Sequence, residues 1–363
     1  MPTLTADAVY RLAERVAAGI GSGEDEAAEV ADHLLRANLA GHDSHGIGML
    51  PSYVRIAAQG LLVPNAELQT VADTGPLLLL DAARGFGQRM VAQGIRRAIE
   101  RARQFGVCTM GLRNSAHVGR IGTYGEMCAE AGMAFTAFVN VADDPPWQAP
   151  WGCRDARLGT NPFCAAAPAA EGAPMLLDMA TTTIAFGKVR VAHNSGAPVP
   201  EGAIIDGEGR PTTDPTALVG QHRGALVSFG RHKGSGLAVL CEALGAAVTG
   251  GQRADQPKRG GILNSLLATV IDVSRFGDLA TIRQDVQTVA TNIKGSRLAP
   301  GFDEILVPGE PERRMAAKRR AEGIPVDAGS WRQIREAALA VGVSEGELDA
   351  FERDAPRGAG AVA

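Results

Sequence analysis

Leu77-Leu78-Leu79-Leu80, followed by Gly85-Phe86-Gly87-Gln88-Arg89-Met90, is where an apolar run, a glycine-bearing turn and a helical stretch succeed one another as in a dinucleotide-binding βα turn. The spacing fails the test that would make the fold doubly wound. Met90 stands where the third glycine belongs, and the next strand, read over 107–112, ends in Arg113 instead of an acidic residue able to hold a ribose. A Rossmann site is therefore not expected here.

Toward the N-terminus, residues 5–19 and 23–39 read as helices. The second carries a capping-box signal in Ser22 and Asp25 and an apolar face of Ala27, Val30, Ala31, Leu34 and Leu35. Gly41 ends it and delivers Gly41-His42-Asp43-Ser44-His45-Gly46, a loop between apolar runs. Pro51 suits the first turn of a helix reaching about Gln59, with Gly60 as its stop. From Leu61 the texture changes to short β-type runs.

Toward the C-terminus, a helix over 88–104 and the strand over 107–112 lead into a second histidine site, Asn114-Ser115-Ala116-His117-Val118-Gly119-Arg120. Gly119, Gly122 and Gly125 are expected to turn the backbone tightly before a helix ending at Ala131. Strands are read over 135–141, 163–167 and 175–179. The last runs into Asp178-Met179-Ala180-Thr181-Thr182-Thr183, read as a helix opening that continues through Lys188, whose free N–H groups would suit a phosphate or ribose. Arg231, His232 and Lys233 lie beside a second helix start, with its body over 237–248. A strand over 266–273, a helix over 278–293, helices from Glu312, Ser330 and Glu345, and a frayed tail over 355–363 complete the chain.

The chain has 363 residues, 45% hydrophobic and 4% aromatic, with a formal charge of −4. Basic residues are dispersed except for Arg313, Arg314, Lys318, Arg319 and Arg320, read as a solvated helix face, so nucleic acid and membrane surfaces are not expected partners. The 5 cysteines lack CxxC spacing, which fits a reducing cytoplasm. Neither a signal-like N-terminus nor an apolar run long enough to span a bilayer is present in the sequence, and a soluble intracellular protein is expected.

His33, His193 and His222 read as surface or satisfied core residues. His42 and His45 with Asp43 between them invite a metal, but no third ligand stands at a recognisable spacing and no H-E-x-x-H is present, so no metal is expected. Ser44 misses the G-x-S-x-G elbow by one residue, which argues against a hydrolytic nucleophile. What remains is imidazole, with its near-neutral pKa, beside several anion-holding helix starts. Ketone reduction needs that combination, because hydride arrives at carbon while a positioned acid protonates oxygen.

Ser44-His45-Gly46, Asn114 to Gly119, LGTNP (158–162), LDMAT (177–181), Gly187-Lys188, His232-Lys233-Gly234 and Pro308-Gly309-Glu310 occur in this order. The chain resembles the type 2 malate/L-lactate dehydrogenase family from about residue 5 to residue 353. The resemblance implies an α/β fold with a non-Rossmann, mixed, largely antiparallel sheet flanked by helices and an N-terminal helical layer. It implies a division into an N-terminal helical and dimerisation region (1–75), a cofactor-binding and catalytic core (76–310) and C-terminal helices packing back on the first region (311–363). Homodimers are implied, as is NAD(H)- or NADP(H)-dependent interconversion of small-molecule 2-oxo and 2-hydroxy acids, with cyclic imine carboxylates as the alternative substrates.

By motif, His117 is the first choice for general acid/base, and His45, lining the nicotinamide pocket, is the second, with Ser44 orienting it. Gly119, Arg120, Ile121, Leu176, Leu177, Asp178, Met179, Ala180, His232 and Lys233 would hold cofactor, with Asn264, Pro308, Gly309 and Glu310 as weaker candidates. Thr160 and Asn161 would shape the substrate side. Met49 is a departure, standing where many members carry an arginine that clamps the substrate carboxylate. Either Arg55 or Arg120 replaces that clamp, or the pocket takes a bulkier, more apolar acid.

Overall fold

The computed structural model describes residues 2–170, 173–218 and 223–354. His222 and the expected frayed tail lie outside the described residues. Strand β1 (Thr3–Leu4) leads into helices α1 (Ala6–Ile20), α2 (Glu24–Leu39) and α3 (Leu50–Ala58). Next come β2 (Gln69–Asp73), β3 (Leu77–Asp81), α4 (Gly87–Phe105), β4 (Val107–Ala116), α5 (Gly122–Glu130) and β5 (Met133–Ala142). The middle of the chain holds β6 (Gln148–Ala149), β7 (Phe163–Ala167), β8 (Met175–Met179), α6 (Phe186–Ser195), β9 (Ile204–Ile205), β10 (Pro211–Thr212), β11 (Ala225–Val227) and α7 (His232–Glu242). The last part has β12 (Leu263–Asp272), α8 (Leu279–Lys294), α9 (Glu310–Glu322), β13 (Ile324–Pro325), α10 (Ala328–Ala340) and α11 (Glu345–Arg353).

Seven strands form the main sheet in the order β2-β3-β4-β12-β5-β7-β8. Only β3 and β4 run parallel, joined by α4 as the crossover; every other neighbouring pair is antiparallel. The stretch that imitates a dinucleotide turn is thus a true βαβ unit. Its glycines serve packing, however. A Cβ on Gly87 would lie 2.4 Å from the Ala116 carbonyl oxygen and 2.5 Å from that of His117, so the bare backbone lets α4 begin against the end of β4.

Two large cores result. Small and branched residues of α1 and α2 (Ala8, Val9, Leu12, Val16; Ala27, Val30, Leu34) pack with α3 and with Trp331, Ile334 and Leu348 from the C-terminal helices. The second core fills the space between α4, α5 and the sheet, around Leu80, Met90, Ile95, Met110, Tyr124 and Val270. Phe86 and Ala116 belong to the first core although they flank α4 and end β4, so the two bodies meet there. A smaller cluster (Val189, Ala203, Ile204, Leu218, Leu226) backs the four-stranded sheet β10-β9-β11-β6.

Several local expectations are corrected. Ser22 does not cap α2; Gly23 occupies that position, and the Ser22 hydroxyl donates to the buried Glu26 carboxylate (2.8 Å), which also accepts from Asn65 N. The complete capping box is at Ser344 and Glu347. β4 runs four residues past its expected end, carrying Asn114 at φ +54 while its Nδ2 donates to Asp81. Gly119 turns the chain at φ +72, but Gly122 and Gly125 lie inside α5. They give room to Asp178 and Leu176, whose side chains would lie 2.9 and 2.8 Å from added Cβ atoms.

No helix opens at 178–183. The amides of Thr181 and Thr183 donate to Thr160 O and Val227 O, and Thr182 bridges to Ser228, so the donors an anion would need at a helix start are spent on strand-like partners. α6 begins only at Phe186. α7 starts at His232, ahead of its expected body, and passes into a π-helical turn over Ala243–Ala247. Among the described residues no helix is long and apolar enough to cross a membrane, and no three His, Cys, Asp or Glu side chains converge as a metal set.

The His45 loop is built from α2. Gly41 takes φ +85, and two short 3-10 turns follow, Asp43–His45 and Ile47–Met49. Buried Asn38 ties them together: its Oδ1 accepts from Ile47 N (2.8 Å) and its Nδ2 donates to Asp43 Oδ1 (2.7 Å). A Cβ on Gly46 would stand 2.1 Å from that Oδ1, so glycine is required. Asn38→Ala leaves the buried Ile47 amide unsatisfied and is expected to lower stability by about 1–3 kcal/mol, and Asn38→Asp, which keeps that acceptor but sets a second carboxylate where Nδ2 met Asp43 Oδ1 at 2.7 Å, is expected to lose more at neutral pH. Chemical-denaturation midpoints of the two variants check this, and equal losses would contradict it.

Candidate active site

The two histidine loops meet. His45 Nδ1 lies 3.1 Å from His117 Nε2, with the rings stacked at 5.2 Å and 6° between planes. His117 Nδ1 lies 2.7 Å from the Tyr53 hydroxyl, which in turn accepts from Gln88 Nε2 at 2.6 Å. With the Gln88 amide donating to that oxygen, the Tyr53 O–H can be directed at His117 Nδ1, and the chain is followed in that direction. His117 then carries its proton on Nε2 and donates to His45 Nδ1. A one-way hydrogen-bond chain results, Gln88 to Tyr53 to His117 to His45, and its last ring nitrogen, His45 Nε2, has no protein partner among the described residues.

Burial decides the charge of these rings. Desolvation, then His42 and Arg120, lowers His45 to about 4. His117, 9% exposed, is held well below its ordinary value by desolvation and by its neighbours His45 and His33. Burial pushes the Tyr53 phenol up, which keeps it a proton donor. The resting pair is therefore two neutral imidazoles.

His33 is a satisfied core residue, as its sequence position suggested. Its Nε2 accepts from Arg120 N (2.9 Å), its ring leans on Tyr124, and burial lowers it to about 3. It also bounds the turn after His117: a Cβ on Gly119 would be 2.4 Å from its Nε2.

That turn faces β8, the last strand of the sheet. Asp178 accepts from Gly122 N (2.7 Å) and lies 3.8 Å from Arg120 Nε. Arg120 is 2% exposed and binds Glu126 through Nη1 (2.8 Å), yet its Nε and Nη2 have no hydrogen-bond partner. Leu176 N donates to Pro308 O (3.3 Å), and Gly309, at φ +89, lets its segment pass over Leu176. Gly119 to Ile121, Leu176 to Ala180 and Pro308 to Gly309 thus line one strip beside the histidines. The outer edge of β8, glycines at close approaches and a buried guanidinium whose Nε and Nη2 lack hydrogen-bond partners fit a phosphate- and amide-bearing dinucleotide.

Other candidates are placed differently. Asn264 is fully committed, accepting from Val118 N (3.0 Å) and donating to Asn140 O (2.8 Å), so it fixes the His117 turn. Asn161 is buried and spent on Val141 N, Ala238 O and Glu242, while Thr160 O serves Thr181; neither residue hydrogen-bonds to the histidine pair. Glu310 turns toward Lys294 and Val307 N. His232 and Lys233 are exposed at the start of α7, which the Phe229 N to Thr181 O bond sets just beyond the end of β8. The Ser44 hydroxyl makes no hydrogen bond among the described residues, and its Cβ sits 3.1 Å from where a Cβ on Gly187 would lie. Met49 packs partly buried against the first core, one helical turn before Tyr53.

Sequence reasoning missed Tyr53 and Gln88. A tyrosine on an apolar helix face reads as core, and here it is also that, edge-on to Phe86 at 5.6 Å. The available signal was the i, i+4 step from Met49 to Tyr53.

A model of the malate/L-lactate dehydrogenase family matches residues 4–335. Hydroxycarboxylate dehydrogenase B of Escherichia coli strain K12 is 44% identical over 352 residues, which is 95% of this chain and 96% of that protein. A solved E. coli chain provisionally assigned as a malate/lactate dehydrogenase superposes with a TM-score of 0.92 at 42% identity, covering 98% of this chain and 99% of that one. Δ1-piperideine-2-carboxylate reductase of Pseudomonas syringae superposes with a TM-score of 0.81 at 28% identity, covering 93% and 100%. Spanning nearly the whole length in sequence and in fold, these matches establish that the chain belongs to the malate/L-lactate dehydrogenase family of oxidoreductases.

Proposed function

We propose that this protein is an NAD(P)H-dependent 2-oxo-acid reductase, working in reverse as a 2-hydroxy-acid dehydrogenase. The observation that carries the reading is the 3.1 Å contact between His45 and His117, backed by Tyr53. When bound, the nicotinamide cofactor supplies the hydride. Gly119 to Ile121, Leu176 to Ala180 and Pro308 to Glu310 would hold it in the non-Rossmann strip along β8, with His232 and Lys233 toward its phosphates or ribose.

This chain's own groups handle the proton. We exchange the roles expected by motif: His45 Nε2, the free end of the relay, is the group that touches the substrate oxygen, while His117, the first choice from sequence, stands behind it with Tyr53 against its Nδ1. Ser44, with its free hydroxyl, adds a donor beside His45. A neutral pair cannot complete a reduction, because passing one proton down the chain would end in a buried tyrosinate. One proton must therefore be loaded on the pair first, giving an imidazole and an imidazolium that share it. In the oxidative direction the neutral pair serves as base once the chain reverses, His45 Nδ1 donating to His117 Nε2 and His117 Nδ1 to the Tyr53 oxygen, which leaves the His45 Nε2 lone pair for the substrate proton.

Met49 offers a thioether where a carboxylate clamp is otherwise expected. Of the two replacement bases, Arg55 is tied to Gly260 O and Gln59, whereas Arg120 keeps its Nε and Nη2 without hydrogen-bond partners. Those donors face the cofactor strip beside Asp178, so neither arginine stands as a carboxylate clamp, and the Met49 surface favours an acid with an apolar side chain. Apolar area also supports a homodimer: α8 buries only Ala290 while Val289 and Ile293 lie open. All five cysteines are unpaired, in keeping with a reducing cytoplasm.

A second reading, reduction of cyclic imine carboxylates, is favoured by the likeness to the piperideine carboxylate reductase and by the same apolar Met49. His45 would then protonate nitrogen. Nicotinamide-oxidation assays with apolar 2-oxo acids and with pyrroline- and piperideine-2-carboxylate separate the two, and turnover of imines alone would replace the first reading with the second.

His45→Gln and His117→Ala are each expected to lower kcat by about 10²-fold or more, with cofactor affinity by fluorescence titration little changed. Unaltered kcat in both would remove the pair from the reaction. Because both rings are depressed, protonation of the pair is the scarce state above their pKa values. The reductive kcat/KM should therefore rise about tenfold per pH unit as pH falls, while the oxidative value stays flat over the same range. A reductive profile independent of pH would contradict the loading step.

A further inference from the structure

The basic run on α9 reads from sequence as a solvated face, and for Arg314 and Lys318 it is one, with side chains 52% and 63% exposed. Arg319 differs. Its side chain is only 11% exposed and lies on the His45 loop. Nη1 meets Asp43 Oδ1 at 2.6 Å and Nη2 meets Oδ2 at 2.9 Å, a two-pronged fork, and Nη1 also donates to the Asn38 carbonyl at the end of α2.

No residue of α9 is fully buried, so polar contacts and edges hold the helix in place. Glu312 lies 3.6 Å from His42 Nε2, and Met315 fills the space that a Cβ on Gly41 would need, 3.1 Å away. From the same turn as Glu312, Arg313 donates to Pro174 O (3.0 Å), just before β8. The helix thus bridges the proposed cofactor strip and the loop that carries His45.

We propose that Arg319 is a positioning residue for the proton relay. Asp43 opens the 3-10 turn whose last residue is His45, and its carboxylate is gripped by Asn38 from inside and by the Arg319 fork from outside. Fixing both oxygens fixes the turn, and the turn sets the His45 ring within hydrogen-bond reach of His117. Lysine would keep the charge but not the two-point grip. The functional side of this inference rests on the reductase reading; its structural side does not.

Histidine ring ¹⁵N spectra of the full-length protein without cofactor test the second side directly. Wild type should show His45 and His117 each in one fixed tautomer, the signals being assigned through His45→Gln and His117→Gln. In Arg319→Met the His45 signals should move toward the averaged tautomer, kcat should fall about tenfold or more with the cofactor KM little changed, and added guanidinium should restore both. Arg319→Lys should recover only part of the loss, and it serves as the folded variant if Arg319→Met fails to fold. Unmoved His45 signals and an unmoved pH profile, with only a lower melting temperature, would overturn the proposal. If wild type reduces neither 2-oxo acids nor imines, the reductase reading fails while the ring spectra still decide the role of Arg319.

Discussion

The structure depends on one nitrogen–nitrogen contact. His45 and His117 approach to 3.1 Å, and such a contact is favourable only when one ring brings the hydrogen and the other brings a lone pair. Which is which is coupled to the direction of the Tyr53 hydroxyl on the far side of His117. The two rings come from different bodies: one from a loop of the helical core, the other from the end of a strand in the main sheet. Everything that sets these bodies against each other, from the bare backbone of Gly87 to the Asn264 amide under Val118, therefore acts on the relay. A displacement of a fraction of an ångström at Phe86 or Ala116, where the cores join, would part the rings.

The electrostatic setting follows from the same burial. The two imidazoles are held neutral by burial, Arg120 further disfavours protonation of His45, and Asp178 and Glu126 hold that guanidinium in place. Burial raises the Asp178 carboxyl even with Arg120 beside it. The site thus keeps one compensated ion pair under the strip along β8 and one uncharged hydrogen-bond chain next to it. A ligand with a negative end and a carbonyl meets a different partner for each.

Much of this was legible in the sequence, for identifiable reasons. The His45 loop announced itself through Gly41 and Gly46, whose φ or close contacts admit no side chain, and the His117 turn through Gly119. The order of short motifs carried the family. Other features were hidden because local chemistry is ambiguous. Thr181 to Thr183 carry the hydroxyls of a helix start, but their donors went to distant strands. Ser22 and Asp25 have capping spacing, yet a buried Glu26 claimed the serine. Gly85-Phe86-Gly87 has the outline of a phosphate turn, and only the position of the Ala116 and His117 carbonyls explains its glycine. Tyr53 and Arg319 look like core and solvent residues, because what each one touches lies far away in the chain.

The chain order of the main sheet has a consequence for how the protein is made. β12, residues 263–272, lies between β4 and β5, which precede it by more than a hundred residues. A growing polypeptide therefore leaves the ribosome with the inner edges of β4 and β5 unpaired until synthesis has passed Asp272, and the first core waits longer still for Trp331 and Leu348. During that interval two facing rows of free amides and carbonyls are open to wrong partners. Nascent chains halted before residue 263 should be the ones that most need a chaperone's cover.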